Sequence, residues 1–220
     1  MPTKLFALAL SLALLTWSAP ARAELKAIQL APPDFNAQGL TVIQALKNRK
    51  SDRVFAEREL SLQHLSEVIW AAGGINRPET PGGSPGRTSP TARNQQAIDI
   101  FALTKDGVYK YDPSTHELRP VTEGDHRAAA GTQDFVAGAP LNLFYVADLA
   151  KFRGSDEEKK RVAALDVGHF SENVYLYCAS AGLNNIVRIN FAPEALAPLF
   201  KTDENHLILM GHTVGYPPAE

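Results

Sequence analysis

Residues 155–190 read SDEEKKRVAALDVGHFSENVYLYCASAGLNNIVRIN, and their order decides the class of fold. Ser155 followed three positions later by Glu158 is a capping-box signature, and Asp156, Glu157 and Glu158 place negative charge in the first turn of a helix. The pattern predicts a long helix with room for an interruption near Gly168 and a stop at Gly182. Asn185 to Asn190 then reads as a strand. Downstream, Pro193 opens another short helix and His206 to Val214 reads as a last strand.

Working back from this stretch, Leu141 to Val146 (LNLFYV) is a continuous apolar run, the signature of a buried strand. Ala97 to Leu103 alternates and is rich in Ile and Phe. Lys105-Asp106-Gly107 turns the chain into Val108 to Tyr111, and Leu118 to Val121 offers a third short strand. Asp125 to Ala130 suits a helical segment ending at Gly131. Nearer the N-terminus, Leu40 to Asn48 is consistent with a short helix. Ser61 begins a better one, with Leu62, Leu65, Val68, Ile69 and Ala72 at helical spacing and Gly73-Gly74 as its stop. Between that helix and the first strand, residues 76–91 hold Pro78, Pro81, Pro85 and Pro90 with Gly82, Gly83 and Gly86, which predicts a long loop. Helices and strands are mixed, with one meander and several crossovers. The class is α+β, without internal repeats.

The chain has 220 residues, 45% apolar and 21% charged, enough for one domain with a packed core. Its 22 basic and 24 acidic residues leave no positive excess, which argues against nucleic acid as a partner. The single cysteine, Cys178, sits in an apolar stretch and reads as a buried, inert thiol, and it rules out an intrachain disulfide. Leu5 to Trp17 is an apolar run of 13 residues behind Lys4, followed by Ala21-Arg22-Ala23. That order is a secretory signal peptide over residues 1–23, cut after Ala23. The run is too short for the ~20 residues a membrane span needs, so no stable membrane insertion is expected after cleavage. Lys4 and Arg22 leave with the segment, taking the net charge from −2 to −4. The mature chain is expected in the periplasm or outside the cell. Residues 24–38, with Pro32-Pro33, read as an arm leading into a domain over 39–220.

Three segments could carry chemistry. In Arg49-Lys50-Ser51-Asp52-Arg53, an extended chain turns positions 49, 51 and 53 the same way, about 6.6 Å apart per pair. Two guanidinium groups and a hydroxyl then suit a phosphate monoester, although, taken alone, the segment reads better as Arg49 and Lys50 complementing the C-terminal dipole of the preceding helix. Ser89-Pro90-Thr91-Ala92-Arg93-Asn94-Gln95-Gln96 closes the Pro/Gly loop, and its amides suit the edge of a planar heterocycle, or else a plain loop-to-strand junction. In the third, Gly182-Leu183 followed by Ile186 to Asn190 brings strand backbone where a ligand could approach. His64 reads as a helix-surface histidine. Asp166 and His169 at i and i+3 are two ligand types without a third, so no metal is expected.

In this order and at these separations the segments resemble the FMN-dependent nitroreductase family, nearest its SagB-type dehydrogenase-like members. The basic-x-Ser-x-basic element matches Arg49, Ser51 and Arg53, and Pro-Ser-x-x-Asn-x-Gln matches Pro90, Thr91, Asn94 and Gln96, with Thr for Ser. The helix-Gly-Leu element matches Asn173 to Leu183, and hydrophobic-Gly-Tyr-Pro matches Val214 to Pro217. Gln133-Asp134-Phe135 before Ala139-Pro140 looks like the SagB-type subgroup. The resemblance covers Leu40 to Pro217. It implies a nitroreductase-like fold, a mainly antiparallel sheet flanked by helices, and a homodimer with FMN at its interface. Phosphate contacts would come from Arg49, Lys50, Ser51 and Arg53. Pro90, Thr91, Ala92, Asn94 and Gln96 would meet the neighbour's flavin, with Gln133 on the pyrimidine side and the backbone of Arg188 and Ile189 near the N5/O4 edge. Family members often add a basic pair near the C-terminus, where this chain has Pro217-Pro218-Ala219-Glu220, which turns attention to Arg188 as a further phosphate cation. No catalytic acid or base is needed, because the flavin carries the electrons. The implied activity is ping-pong transfer of a hydride or electrons to a small organic acceptor, with a non-catalytic periplasmic flavin-binding or interaction module as the alternative.

Overall fold

The computed structural model describes residues 24–219, so the signal-peptide reading of residues 1–23 lies outside the described residues. The arm contributes a short edge strand, β1 (Ile28–Gln29), antiparallel to β6 below. Thr41 caps α1 (Val42–Asn48) in a capping box with Gln44. Only Ala45 of this helix is buried, and Val42, Ile43 and Leu46 form an exposed apolar face. Ser61 caps α2 (Leu62–Gly73), whose Val68, Ile69 and Ala72 are buried at helical spacing.

The expected loop over residues 76–91 is partly a two-stranded ribbon, β2 (Ile75–Arg77) against β3 (Gly86–Arg87). Pro78, Pro81 and Pro85 fall in the turn between the two strands, so they do not interrupt the pairing. The meander follows as β4 (Ile98–Leu103), β5 (Gly107–Asp112) and β6 (Glu117–Glu123). β6 runs past the expected end at Val121 because its register against β5 shifts where Pro120 lies opposite Tyr109; a proline cannot donate to the ladder, and the bulge accommodates it. Arg127–Ala130 forms a 3-10 turn, and α3 (Asp134–Gly138), which no local pattern predicted, precedes β7 (Leu141–Asp148).

Ser155 and Glu158 close the expected capping box on α4 (Asp156–Ala181), and Gly182, at φ 68°, ends the helix in the left-handed conformation that glycine adopts most easily. The interruption near Gly168 does not occur. A mid-helix glycine costs only about 1 kcal/mol relative to alanine, and the buried Val167, Phe170, Ser171 and Val174 hold the helix through it. β8 (Asn184–Arg188) stops short of Asn190, and α5 (Pro193–Phe200) and β9 (His206–Gly215) complete the chain.

Seven strands form one sheet in the order β1-β6-β5-β4-β7-β9-β8, each neighbouring pair antiparallel. The interior strand β7 is covered on both faces, as its continuous apolar run requires. Leu141, Leu143 and Tyr145 join Ile69, Phe170 and Cys178 under α2 and α4. Phe144 and Val146 point to the opposite core, where Phe101 and Phe200 stack at 4.5 Å under α5. Cys178 is buried, and burial pushes its thiol up, as an inert thiol requires.

Candidate functional site

The first segment leaves α1 at Arg49 with extended backbone (φ −55°, ψ 123°). Arg49 lies 5.2 Å from the ring centroid of Tyr175, and Ser51 Oγ is 2.8 Å from the Tyr175 hydroxyl, so positions 49 and 51 do turn the same way. Both Arg49 and Arg53 are exposed, and neither forms an ion pair with another described residue. Lys50 departs from the expected phosphate set: its Nζ turns to Asp52 at 3.2 Å, and both residues line a different cleft with Gly182 to Asn185. Strand-like alternation is the reason, since even positions face away from odd ones. The backbone N–H of Asp52 donates to the Asn185 carbonyl at 2.9 Å, fastening the segment to β8.

Tyr175 joins the first segment to the third. Its hydroxyl also accepts the Val187 N–H at 3.1 Å, beside Arg188 and Ile189. Ile189 follows at 80% exposure, a large apolar side chain held outward at the strand end. Arg188 points inward and is 4% exposed. Its Nε donates to Thr213 Oγ1 at 2.8 Å, one Nη to the Ala130 carbonyl at 2.6 Å and the other to Asn142 Oδ1 at 3.0 Å. Gly131 and Gly211 make room for it; a Cβ at either would press on the guanidinium. Burial lowers its pKa to about 10, so it stays a cation. The expectation that the Arg188 side chain supplements the phosphate set is therefore corrected: each of its three nitrogens donates to a group inside the protein, and the side chain is buried.

The Arg188 contacts draw the 130–133 turn against β8, and Asn190 Nδ2 donates to Thr132 Oγ1 at 3.0 Å. Gln133 comes with it, and its Oε1 is buried without a hydrogen-bond partner among the described residues. An orphaned buried acceptor costs about 1–3 kcal/mol, so it marks a place where a donor from outside the chain fits. Phe55 and Phe135, 5.7 Å apart, close the line from the arginine segment to α3.

Beside Arg188 lies a second buried polar group. His212 Nε2 contacts Asn185 Oδ1 at 2.9 Å and its Nδ1 lies 3.3 Å from the Tyr145 hydroxyl, which fits a neutral ring that donates from Nε2 and accepts at Nδ1. Burial, then the Arg188 charge, pushes its pKa down to about 3. Neither Tyr175 nor His212 carries a local sequence signal. Both lie in apolar runs and act only through residues distant in sequence.

The Pro90 to Gln96 segment sits elsewhere. The Ala92 N–H donates to Asp166 Oδ1 at 3.0 Å, nine residues and so about 13 Å along α4 from Tyr175. Within one chain this segment and the arginine segment do not share a surface. Arg93, Asn94 and Gln96 have positive φ (55°, 53° and 50°), conformations costing of order 1–3 kcal/mol each that persist only under constraint. The constraint comes from Asp166, from Thr91 Oγ1 accepting the Gln96 N–H, and from the Gln96 amide, which donates to the Pro85 carbonyl and to Asn94 Oδ1. Gln96 thus acts as an internal strut, whereas Pro90 and Asn94 are exposed. Burial raises the Asp166 pKa, and its Oδ2 has no hydrogen-bond partner among the described residues.

Comparison with known proteins bears on the family and the fold. Residues 46–216 match the model of the nitroreductase family. A Methanocaldococcus jannaschii protein named as a nitroreductase is 30% identical over 176 residues, covering 75% of this chain and 86% of its own length. A crystal structure from Ralstonia eutropha JMP134, described as a nitroreductase, is 36% identical with a TM-score of 0.80, covering 89% of this chain and 91% of that one. The Vibrio harveyi NADPH:FMN oxidoreductase complexed with NAD+ shares the fold at a TM-score of 0.59 and 19% identity, covering 81% of this chain and 69% of that one. From the matched span and the 30%- and 36%-identical relatives, the chain belongs to the nitroreductase family.

Proposed function

We propose that this chain is an exported, homodimeric FMN-dependent oxidoreductase of the SagB-type dehydrogenase-like group, passing a hydride or electrons to a small organic acceptor by a ping-pong route. The observation that carries the reading is the gathering at the β8 edge of Arg49 and Ser51 on Tyr175, whose hydroxyl meets Val187, with the buried Gln133 Oε1 and the outward Ile189 nearby. Arg49, Ser51 and Arg53 would hold the phosphate. The Gln133 Oε1 would accept from the pyrimidine side, and the backbone at Ile189 would border the reactive edge. Bound FMN supplies the redox chemistry; the protein binds and orients it. The separation of Pro90 and Asn94 from this line fits their reaching a neighbour's flavin, and the apolar face of Val42, Ile43 and Leu46 fits a dimer contact. An exported chain is set apart from the cytoplasmic nicotinamide pool, so this reading does not require NAD(P)H as reductant.

Arg49→Ala is expected to weaken FMN tenfold or more, since a charge-assisted hydrogen bond contributes about 1.5–3 kcal/mol. Riboflavin, which lacks the phosphate, should be almost unaffected. Equal losses for both ligands in equilibrium titration would show that Arg49 acts through the fold instead. Native mass spectrometry of the exported protein should find Glu24 at the N-terminus and twice the mature mass; a cytoplasmic monomer retaining residues 1–23 would contradict both export and dimer.

The burial of Arg188 leaves the phosphate set with two exposed arginines, and this favours a second reading, a flavin-binding module without turnover. Flavin-loaded protein that is reduced by dithionite but passes no electrons to quinones or nitroaromatics would establish it.

A further inference from the structure

A cavity of about 410 Å³ lies between the arm, α2 and the C-terminal end of α4, beyond the N-terminal end of α1. The phosphate candidates follow the other end of α1, one helix length or about 10 Å away. The cavity is lined by Phe35, Trp70 and Tyr177, with Phe35 and Trp70 meeting edge to face at 5.5 Å. Phe35 is 78% exposed, a position where an aromatic ring gains nothing from the core.

Against these rings stands Glu67. One carboxylate oxygen accepts the Asp34 N–H at 2.9 Å and the Gln63 amide at 2.6 Å; the other accepts the Tyr177 hydroxyl at 2.7 Å. Burial pushes this carboxyl up, but the Asp34 amide, the Tyr177 hydroxyl and the Gln63 amide outweigh it, and the group lies below its ordinary value. Three neutral donors stabilise the negative charge without cancelling it, and a carboxylate has about four acceptor positions. Asp34 and His64 also line the cavity, and no lysine or arginine does, so with His64 neutral the lining carries two carboxylates and no cation. The cavity therefore combines net negative charge with aromatic surface. The aromatic lining beside the carboxylate suits an organic cation.

We propose that this cavity is a second ligand site, separate from the flavin line, that binds a small organic cation with an apolar body, its charge facing Glu67 and its body against Phe35 and Trp70. Quaternary and substituted ammonium groups are recognised by this combination of aromatic surface and acid, and the volume suits a molecule of modest size.

Trp70 reports on the site directly. The chain has two tryptophans, Trp17 and Trp70, so a Trp17→Phe protein carries Trp70 alone. Titration of that full chain with benzyltrimethylammonium, without added FMN, should give a saturable change in Trp70 fluorescence. Benzyl alcohol should bind about tenfold more weakly, and phenylmethanesulfonate should give no saturable change. Glu67→Gln should cost about tenfold in affinity for the cation. Phe35→Ala should cost several-fold with an unchanged thermal midpoint, and it decides the matter alone should Glu67→Gln fail to fold. The proposal is overturned by the absence of a saturable response, as when a second copy of the chain fills the cavity, by equal responses to cation and alcohol, or by undiminished binding in the variants. Because no flavin is present, these outcomes are independent of the fate of the FMN assignment.

Discussion

Arg188→Ala is expected to lower the stability of the protein by about 3–5 kcal/mol, read as a lower urea midpoint with an unchanged slope. Two losses add. The Ala130 carbonyl is stripped of its guanidinium donor and Asn142 Oδ1 of one of its two donors, at about 1–3 kcal/mol for a buried group left unsatisfied. The space vacated between Gly131 and Gly211 becomes a cavity, because glycines have no side chain with which to fill it. Arg188→Lys should recover little, since a single ammonium cannot reproduce a planar fork aimed at three acceptors. A loss under about 1 kcal/mol for Arg188→Ala would mean that the cost of burying the charge cancels what its hydrogen bonds contribute. The consequence for function is indirect but large. The same guanidinium ties the end of β8 to the 130–133 turn, so Ile189 and Gln133 hold their places through it.

Mild acid should also destabilise the protein well above the range in which carboxylates titrate. His212 takes a proton near pH 6.5 when unfolded, but only near about pH 3 in the folded protein. Between those values the unfolded state binds more protons, so stability falls as pH falls, by up to about 1.4 kcal/mol per pH unit, and it is fully present only above pH 6.5. His116, also lowered by burial, adds in the same direction. Glu67, Asp112 and Asp125 have lowered pKa values too, but their unfolded values of 4.5, 3.8 and 3.8 confine their effect to lower pH. Urea midpoints measured from pH 7 to pH 5 should therefore decline, and His212→Gln should flatten most of that decline while lowering the midpoint at pH 7. A wild-type midpoint constant across this range would refute the buried neutral imidazole.

The same burial that depresses His212 explains why it escaped the sequence. Within HLILMGHTVG it is one polar letter in a strand, and nothing local says that it faces Asn185 and Tyr145 rather than solvent. Arg188 is the sharper case. Its place at a strand end was legible, but the direction of its side chain was not. A strand alternates its faces, and which face is inside depends on what packs there: here Asn142, Thr213 and two glycines from other elements turn Arg188 inward and Ile189 outward. Lys50 and Gln96 were diverted in the same way, by Asp52 and by the Pro85 carbonyl.

What the sequence determined by itself is whatever rests on neighbours within a few positions. Ser155 and Glu158 cap their helix, Gly182 ends it, the patterns of β4 and β7 mark two strands of the sheet interior, and Arg49 and Ser51 turn to the same side because an extended chain alternates its side chains. The tertiary structure decided what depends on distant partners. It carried α4 through Gly168 on buried neighbours, paired β2 with β3 across a proline-rich turn, and set Tyr175 as the link between Arg49, Ser51 and β8. Local rules act through backbone sterics and capping, which a short window contains. Burial and long-range hydrogen bonding act between segments that meet only when the chain folds.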